Sequence, residues 1–260
     1  MPPDILAEIC ARKRGEVADA IESRSLDAIE TDARAAPLPR DFAAALEAPG
    51  ISLVAEIKRA SPSKGEIAPD LEVSSIAGAY EEAGASAISV LTDEAGFAGT
   101  LADLTAARES VSLPLLRKDF IVDPYQVFEA RAAGADAILL IVGALDQRDL
   151  ESMLELSQDL GMASLVEVHD GRELGLALDS GASIVGVNNR DLRTFEVSLT
   201  TCIGLADQIP SWVLGVAESG ISTRTDVELV ESAGYDAILV GESLLISGNV
   251  EGQVHELLGR

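Results

Sequence analysis

Lysine is scarce in this chain of 260 residues: only Lys13, Lys58, Lys64 and Lys118 occur, among 19 basic residues set against 44 acidic ones. The net charge of -25 and a pI near 4.2 exclude any nucleic-acid role that depends on a basic surface. Cysteine is equally sparse. Cys10 and Cys202 lie in helix-like segments without metal-ligand spacing, so free buried thiols are expected rather than a disulfide framework. No apolar run approaches the roughly 18 residues of a membrane span, and MPPDILAEICARKRGE lacks the charged-then-apolar layout of a signal peptide. The expectation is a cytoplasmic protein without a membrane partner, as a monomer or weak homo-oligomer. An acidic, lysine-poor and alanine-rich surface also fits adaptation to high salt, where charge is screened within about 3 Å; an ordinary acidic enzyme is the alternative.

What is present is a long alternation of buried and amphipathic segments. EEAGASAISVLT, RAAGADAILLIV, LDSGASIVGVNN and ESAGYDAILVGE each read as a helix end, a C-capping glycine, a small residue and a buried strand. Their glycines, Gly84, Gly134, Gly181 and Gly234, recur at an interval that holds two βα units. Further strands are expected at 51–59, 113–119, 163–169 and 212–218, which makes eight. Helices are expected at 72–83, 100–110, 124–133, 146–160, 171–180, 199–208, 223–233 and 250–259. Eight βα units with no G-x-G-x-x-G turn after the first strand favour a closed (β/α)8 TIM barrel over an open dinucleotide-binding sheet. A leading helix over 4–24, with Asp4 as its N-cap, and a short one over 41–47 precede the barrel, joined by a linker over 24–40. The expected organisation is one domain over 1–260, in which 1–50 is an N-terminal helical extension.

In such a barrel the C-terminal strand ends build the site. Polar residues fall there: Glu56 and Lys58, Lys118, Glu167 and His169, Asn188 and Arg190, then Glu218 and Ser219. Glu56 and Lys58 are two apart on one strand and share a face. An ammonium suits proton transfer where an arginine, always charged, does not. AESGI and LVGES, with the backbone N–H groups of Ser219, Gly220, Gly241 and Glu242, predict a phosphate cradle. Lys58, Arg59, Lys64, Arg117, Lys118 and Arg190 are expected to form a basic island at the mouth. His169 invites a metal reading, but the only other histidine is His255 in the terminal helix. A magnesium site on Glu56, Glu167 and Glu218 stays open; the neighbouring lysines would neutralise the same acids, and a site without cofactor or metal is favoured.

VAEIKRASPSKGEI, LPLLRKDFIVDPYQV, SLVEVHD, VGVNNRDLRTFEV, VAESGI and ILVGESLL resemble, in order and spacing, the motifs of the indole-3-glycerol phosphate synthase family of tryptophan biosynthesis, and ILAEICARKRGEV resembles its N-terminal extension. The resemblance implies a carboxy-lyase that cyclises 1-(2-carboxyphenylamino)-1-deoxyribulose 5-phosphate with loss of CO2 and water. It implies Lys118 as general acid at the ketone oxygen and Glu167 as the carboxylate that stabilises positive charge and assists proton removal. Glu56 and Lys58 would serve dehydration, with Asn188 orienting and Glu218 a further active-site carboxylate. Ser61, Phe120 and Arg190 would line the substrate, and Ser219, Gly220, Gly241 and Glu242 the phosphate. Serine is common in the family where Glu242 stands. The alternatives are a phosphoribosylanthranilate isomerase-like barrel, whose chemistry needs fewer charged groups, and a non-catalytic phosphoanion-binding barrel.

Overall fold

The computed structural model describes residues 5–192 and 194–260. Eight parallel strands close into a barrel: β1 (Ser52–Ile57), β2 (Ala87–Leu91), β3 (Leu115–Lys118), β4 (Ala137–Ile141), β5 (Ala163–Val168), β6 (Ile184–Asn188), β7 (Leu214–Glu218) and β8 (Ala237–Val240). Each pairs with its neighbours in sequence, and β8 closes on β1 with Ser52 beside Ala237. The strands are buried along their length and mostly apolar because both faces are covered, by helices outside and by side chains within.

The four recurring glycines have one physical cause. Gly84, Gly134, Gly181 and Gly234 sit at φ between 91° and 100° just past a helix. In each case the glycine N–H and the next residue's N–H bond back to helix carbonyls, as in Ala85 N to Tyr80 O and Ala135 N to Ala130 O, at 3.0 and 2.9 Å. The left-handed turn closes the helix and aims the chain into the following strand.

Inside the barrel, Val54, Leu116, Leu139, Leu165, Ile184, Val216 and Leu239 form a separate apolar core. Helix Phe42–Leu46 plugs its N-terminal end with the fully buried Phe42 and Leu46. The segment over 24–40, expected as a linker, instead holds helix Leu26–Ala35, capped by Ser25 and packed on helix Pro124–Ala132. Its buried face needs only Ile29 and Ala33, too short an apolar signal to read among Asp, Glu and Thr. The leading helix runs from Ile5 to Ser23; Asp4, read as its cap, lies outside the described residues. The seventh strand begins at Leu214 rather than 212, and Trp212 is exposed. Among the described residues no helix is long and apolar enough to cross a membrane.

Candidate active site

Alternate strand residues point inward, so the last inward position of each strand is where apolar packing gives way to chemistry. β1 contributes Glu56, with Lys58 just past its end; β3 contributes Lys118, β5 Glu167, β6 Asn188 and β7 Glu218. These side chains line one cavity of about 550 Å³ at the C-terminal mouth, together with Ser61, Phe120, Arg190, Ser219, Gly220, Gly241 and Glu242. All thirteen site residues expected from sequence are thus brought to one place.

Lys118 is the hub. Its Nζ lies 3.1 Å from Glu167 Oε2 and 3.4 Å from Glu218 Oε2. Burial disfavours its charge, but Glu167, Glu218 and Glu56 outweigh that and hold it as an ammonium well above the usual lysine range. Burial likewise pushes against an ionised Glu167. Lys118, His169 and Asn188, whose Nδ2 donates to Glu167 Oε1 at 3.2 Å, nevertheless keep that carboxylate well below its ordinary pKa. Glu218 goes the other way: burial, with Glu167 and Glu56 nearby, raises it to about 8 against the pull of Lys118. One carboxylate and one carboxylic acid therefore share a single ammonium at neutral pH, an acid–base division set by surroundings.

Two glycines make room for this arrangement. A Cβ on Gly186 of β6 would run into Glu218 Oε1, and one on Gly241 would run into the Glu56 carboxylate. Gly241 thus makes room for the seat of Glu56. Glu56 Oε1 is in turn 2.6 Å from Lys58 Nζ, which confirms that the two share one wall.

The loops complete the mouth. After β1 the chain forms a small hairpin, Ala60–Ser61 against Gly65–Glu66, that buries Ser61 and leaves Lys64 exposed. Lys64 Nζ is 3.5 Å from Glu242 Oε1, so the Glu242 carboxylate is directed to this loop. After β7, Ser219 and Gly220 take left-handed φ values of 64° and 81°, and Asn189 Nδ2 holds the Ser219 carbonyl at 3.1 Å. Ser243 Oγ donates to Ile221 O at 3.4 Å and ties the β7 and β8 loops together. Helix Glu242–Ile246 starts directly after β8. The helix after β7 starts only at Arg224, and Asp226 already accepts the N–H groups of Ser222 and Thr223. On the β7 side, Ser219 and Gly220 line the cavity ahead of that turn.

The basic island is smaller than expected. Arg117 points outward from β3 and is buried between Asp119 and Glu129, since it alternates with inward Lys118. Arg59 is bound by both oxygens of Asp103. His169 stands behind Glu167, its Nε2 3.4 Å from Glu167 Oε1. Among the described residues no group of three His, Cys, Asp or Glu side chains is disposed to hold a metal; Glu56, Glu167 and Glu218 each face a lysine instead.

Sequence reasoning missed other contributors. Ile5, Leu6 and Ile9 of the leading helix form an apolar wall of the cavity, so the extension is part of the site. The helix is pinned by Lys13, whose Nζ is 2.8 Å from Asp93 and 2.9 Å from Asp119, the residue after Lys118. Lys13 was visible as one of four lysines, but its partners are distant in sequence. Asn189 was visible only as the second of two adjacent asparagines.

The family described as indole-3-glycerol phosphate synthase matches residues 6–257. The indole-3-glycerol phosphate synthase of Mycolicibacterium smegmatis is 50% identical over 254 residues, covering 98% of this chain and 93% of that protein. That of a Parafrankia species is 49% identical over 253 residues, covering 97% and 94%. Among solved structures, a mutant tryptophan synthase alpha-subunit from Pyrococcus furiosus superposes with a TM-score of 0.61 at 18% identity, covering 80% of this chain and 98% of that one, a likeness of fold.

Proposed function

The chain belongs to the indole-3-glycerol phosphate synthase family, and from that premise we propose how its own residues carry out the ring closure of 1-(2-carboxyphenylamino)-1-deoxyribulose 5-phosphate. The observation that carries the reading is Lys118, held as an ammonium on the cavity floor between Glu167 and Glu218. Lys118 delivers a proton to the ketone oxygen as the ring carbon bearing the carboxylate attacks. The attack leaves a cationic, dearomatised ring, which takes up the electron pair released as CO2 departs, so no separate electron sink is required. Glu167, ionised and fixed by Asn188, faces that cation and assists proton removal. Glu56 and Lys58, a pair at 2.6 Å, then serve loss of the hydroxyl as water, with Lys58 also near the substrate carboxylate. Glu218, neutral at pH 7, is available as a second donor.

Ser61, Phe120 and Arg190 line the anthranilate side, and Ser219, Gly220, Gly241 and Glu242 the phosphate side. Glu242 contributes its N–H, since its carboxylate is turned to Lys64. The test is direct: the purified chain, given this substrate, should form an indole-fluorescent product with one CO2 per product, and isomerisation without CO2 release would refute the reading. The same proposal describes a cytoplasmic, cofactor-free enzyme, monomeric or weakly self-associating, whose single domain spans 1–260 with 1–50 as its helical extension.

Adaptation to high salt belongs to this proposal as well. A net charge of -25 repels an anionic substrate, whereas Lys58, Lys118 and Arg190 sit inside the cavity, less screened than the envelope. Raising salt towards molar should raise kcat/KM; a monotonic fall in a sample verified as folded would contradict it.

A further inference from the structure

His169 is one of two histidines in the chain, and the steps above do not use it. It follows β5 directly and lies behind the cavity wall, with a side chain 17% exposed. Its two ring nitrogens face two carboxylates. Nδ1 is 3.1 Å from Glu173 Oε2 on helix Gly171–Asp179, whereas Nε2 is 3.4 Å from Glu167 Oε1, an ion-pair distance at which this buried nitrogen makes no hydrogen bond among the described residues. Glu173 is itself fixed, since its Oε2 also accepts the His169 backbone N–H at 2.9 Å and its own N–H is held by Asp170. Glu173 thus grips both the ring and the main chain of His169.

We propose that His169 is a positioning residue that, backed by Glu173, holds Glu167 Oε1 from behind so that Oε2 stays directed at Lys118. The inference rests on Glu167 being the catalytic carboxylate. Glu167 has three flexible torsions, and among the described residues the partners of its head are side chains: Lys118 and Asn188 in front and His169 behind. Lys118 must change its hydrogen bonding when it gives up a proton, so the contact in front is transient during turnover. The contact behind is not. Among the described residues the charged groups facing the ring are Glu167 from β5 and Glu173 from the next helix, with Lys118 of β3 and neutral Asn188 of β6 on the far side of Glu167. Burial lowers the imidazole pKa, but both carboxylates lift it to about 10, which makes the ring a cation able to attract both at neutral pH.

The experiment pairs kinetics with the state of the ring. His169→Gln, which keeps a donor but removes the charge, should lower kcat about tenfold with KM unchanged within about twofold, because a misplaced base loses rate rather than binding. In the native enzyme, nitrogen NMR should show a doubly protonated His169 from pH 6 to 8, assigned against a His255→Gln control. Unchanged kcat in a folded His169→Gln variant, a KM rise with kcat intact, or a neutral ring at pH 7 would each overturn the inference. Should His169→Gln not fold, Glu173→Gln replaces it with an expected loss of about threefold in kcat, and no loss overturns the inference. Glu167→Gln separates the two readings. If it abolishes turnover while His169→Gln does not, only the positioning role fails; if it leaves turnover intact, the premise about Glu167 fails.

Discussion

Replacing Lys13 with methionine should destabilise the protein out of proportion to one side chain. The Lys13 ammonium is 5% exposed and lies between the carboxylates of Asp93 and Asp119, each 1% exposed. Removing it leaves two buried anions short of a partner, a change that costs about 3–5 kcal/mol when a buried pair is broken. Neither anion is stranded. Asp93 keeps Arg12 and the Gly96 N–H, both at 2.8 Å; Asp119 keeps Arg117 at 2.9 Å, Thr92 at 2.7 Å and the Phe120 N–H at 2.8 Å. The lower end, about 3 kcal/mol, is therefore expected, and methionine retains most of the stem's packing.

At about 2–4 °C per kcal/mol for a chain of this size, Tm should fall by about 6–12 °C. The pH dependence follows from Asp119, which is lowered to about 2 because Arg117, Lys13 and Thr92 outweigh burial. A depressed carboxylate contributes its stability above the unfolded value near 3.8 and loses it as pH falls through about 2. The gap between wild type and Lys13→Met should thus be full at pH 7 and shrink towards pH 2. Urea unfolding at pH 7 and pH 3 measures it; a difference below about 1 kcal/mol at pH 7 would refute the buried-anion reasoning.

Two further outcomes follow from the barrel mouth. Gly186→Ala should lower kcat by about a hundredfold, since its Cβ displaces the Glu218 carboxyl and misplacing a catalytic group by about 1 Å has that effect; steady-state kinetics near the wild-type rate would show that Glu218 can sit elsewhere. If neutral Glu218 serves as a donor, kcat should fall as pH rises through about 8, and the Glu218→Gln variant, folded and weakly active, should lack that limb; the same limb in both would exclude Glu218 as its source.

The barrel was legible because its signals are local and repeated: a left-handed glycine, a small residue and a buried strand recur at fixed spacing, and Gly84 and Gly134 show the same back-bonded turn. The inward charges were legible for a related reason. A Glu or Lys inside an apolar run has few other places to go, so Glu56, Lys118, Glu167 and Glu218 could be assigned to one mouth. Arg117 shows the limit of that argument. It neighbours Lys118 in sequence but points to the opposite face, where Asp119 and Glu129 hold it, because strand residues alternate. Helix Leu26–Ala35 was hidden because two buried residues suffice where a partner helix supplies the rest. Lys13 and Asn189 were hidden because their partners, Asp93, Asp119 and Ser219, sit just past the ends of strands remote in sequence.

The proposed ring closure depends on Lys118 as the source of its proton. The measurement that tests it is turnover by the Lys118→Met variant, followed by indole fluorescence, beside calorimetric binding of indole-3-glycerol phosphate to the same folded sample. Turnover should fall about a thousandfold or more in kcat, with product affinity kept within about tenfold because Ser219, Gly220 and Gly241, the proposed phosphate cradle, are untouched. Turnover within tenfold of wild type would contradict it.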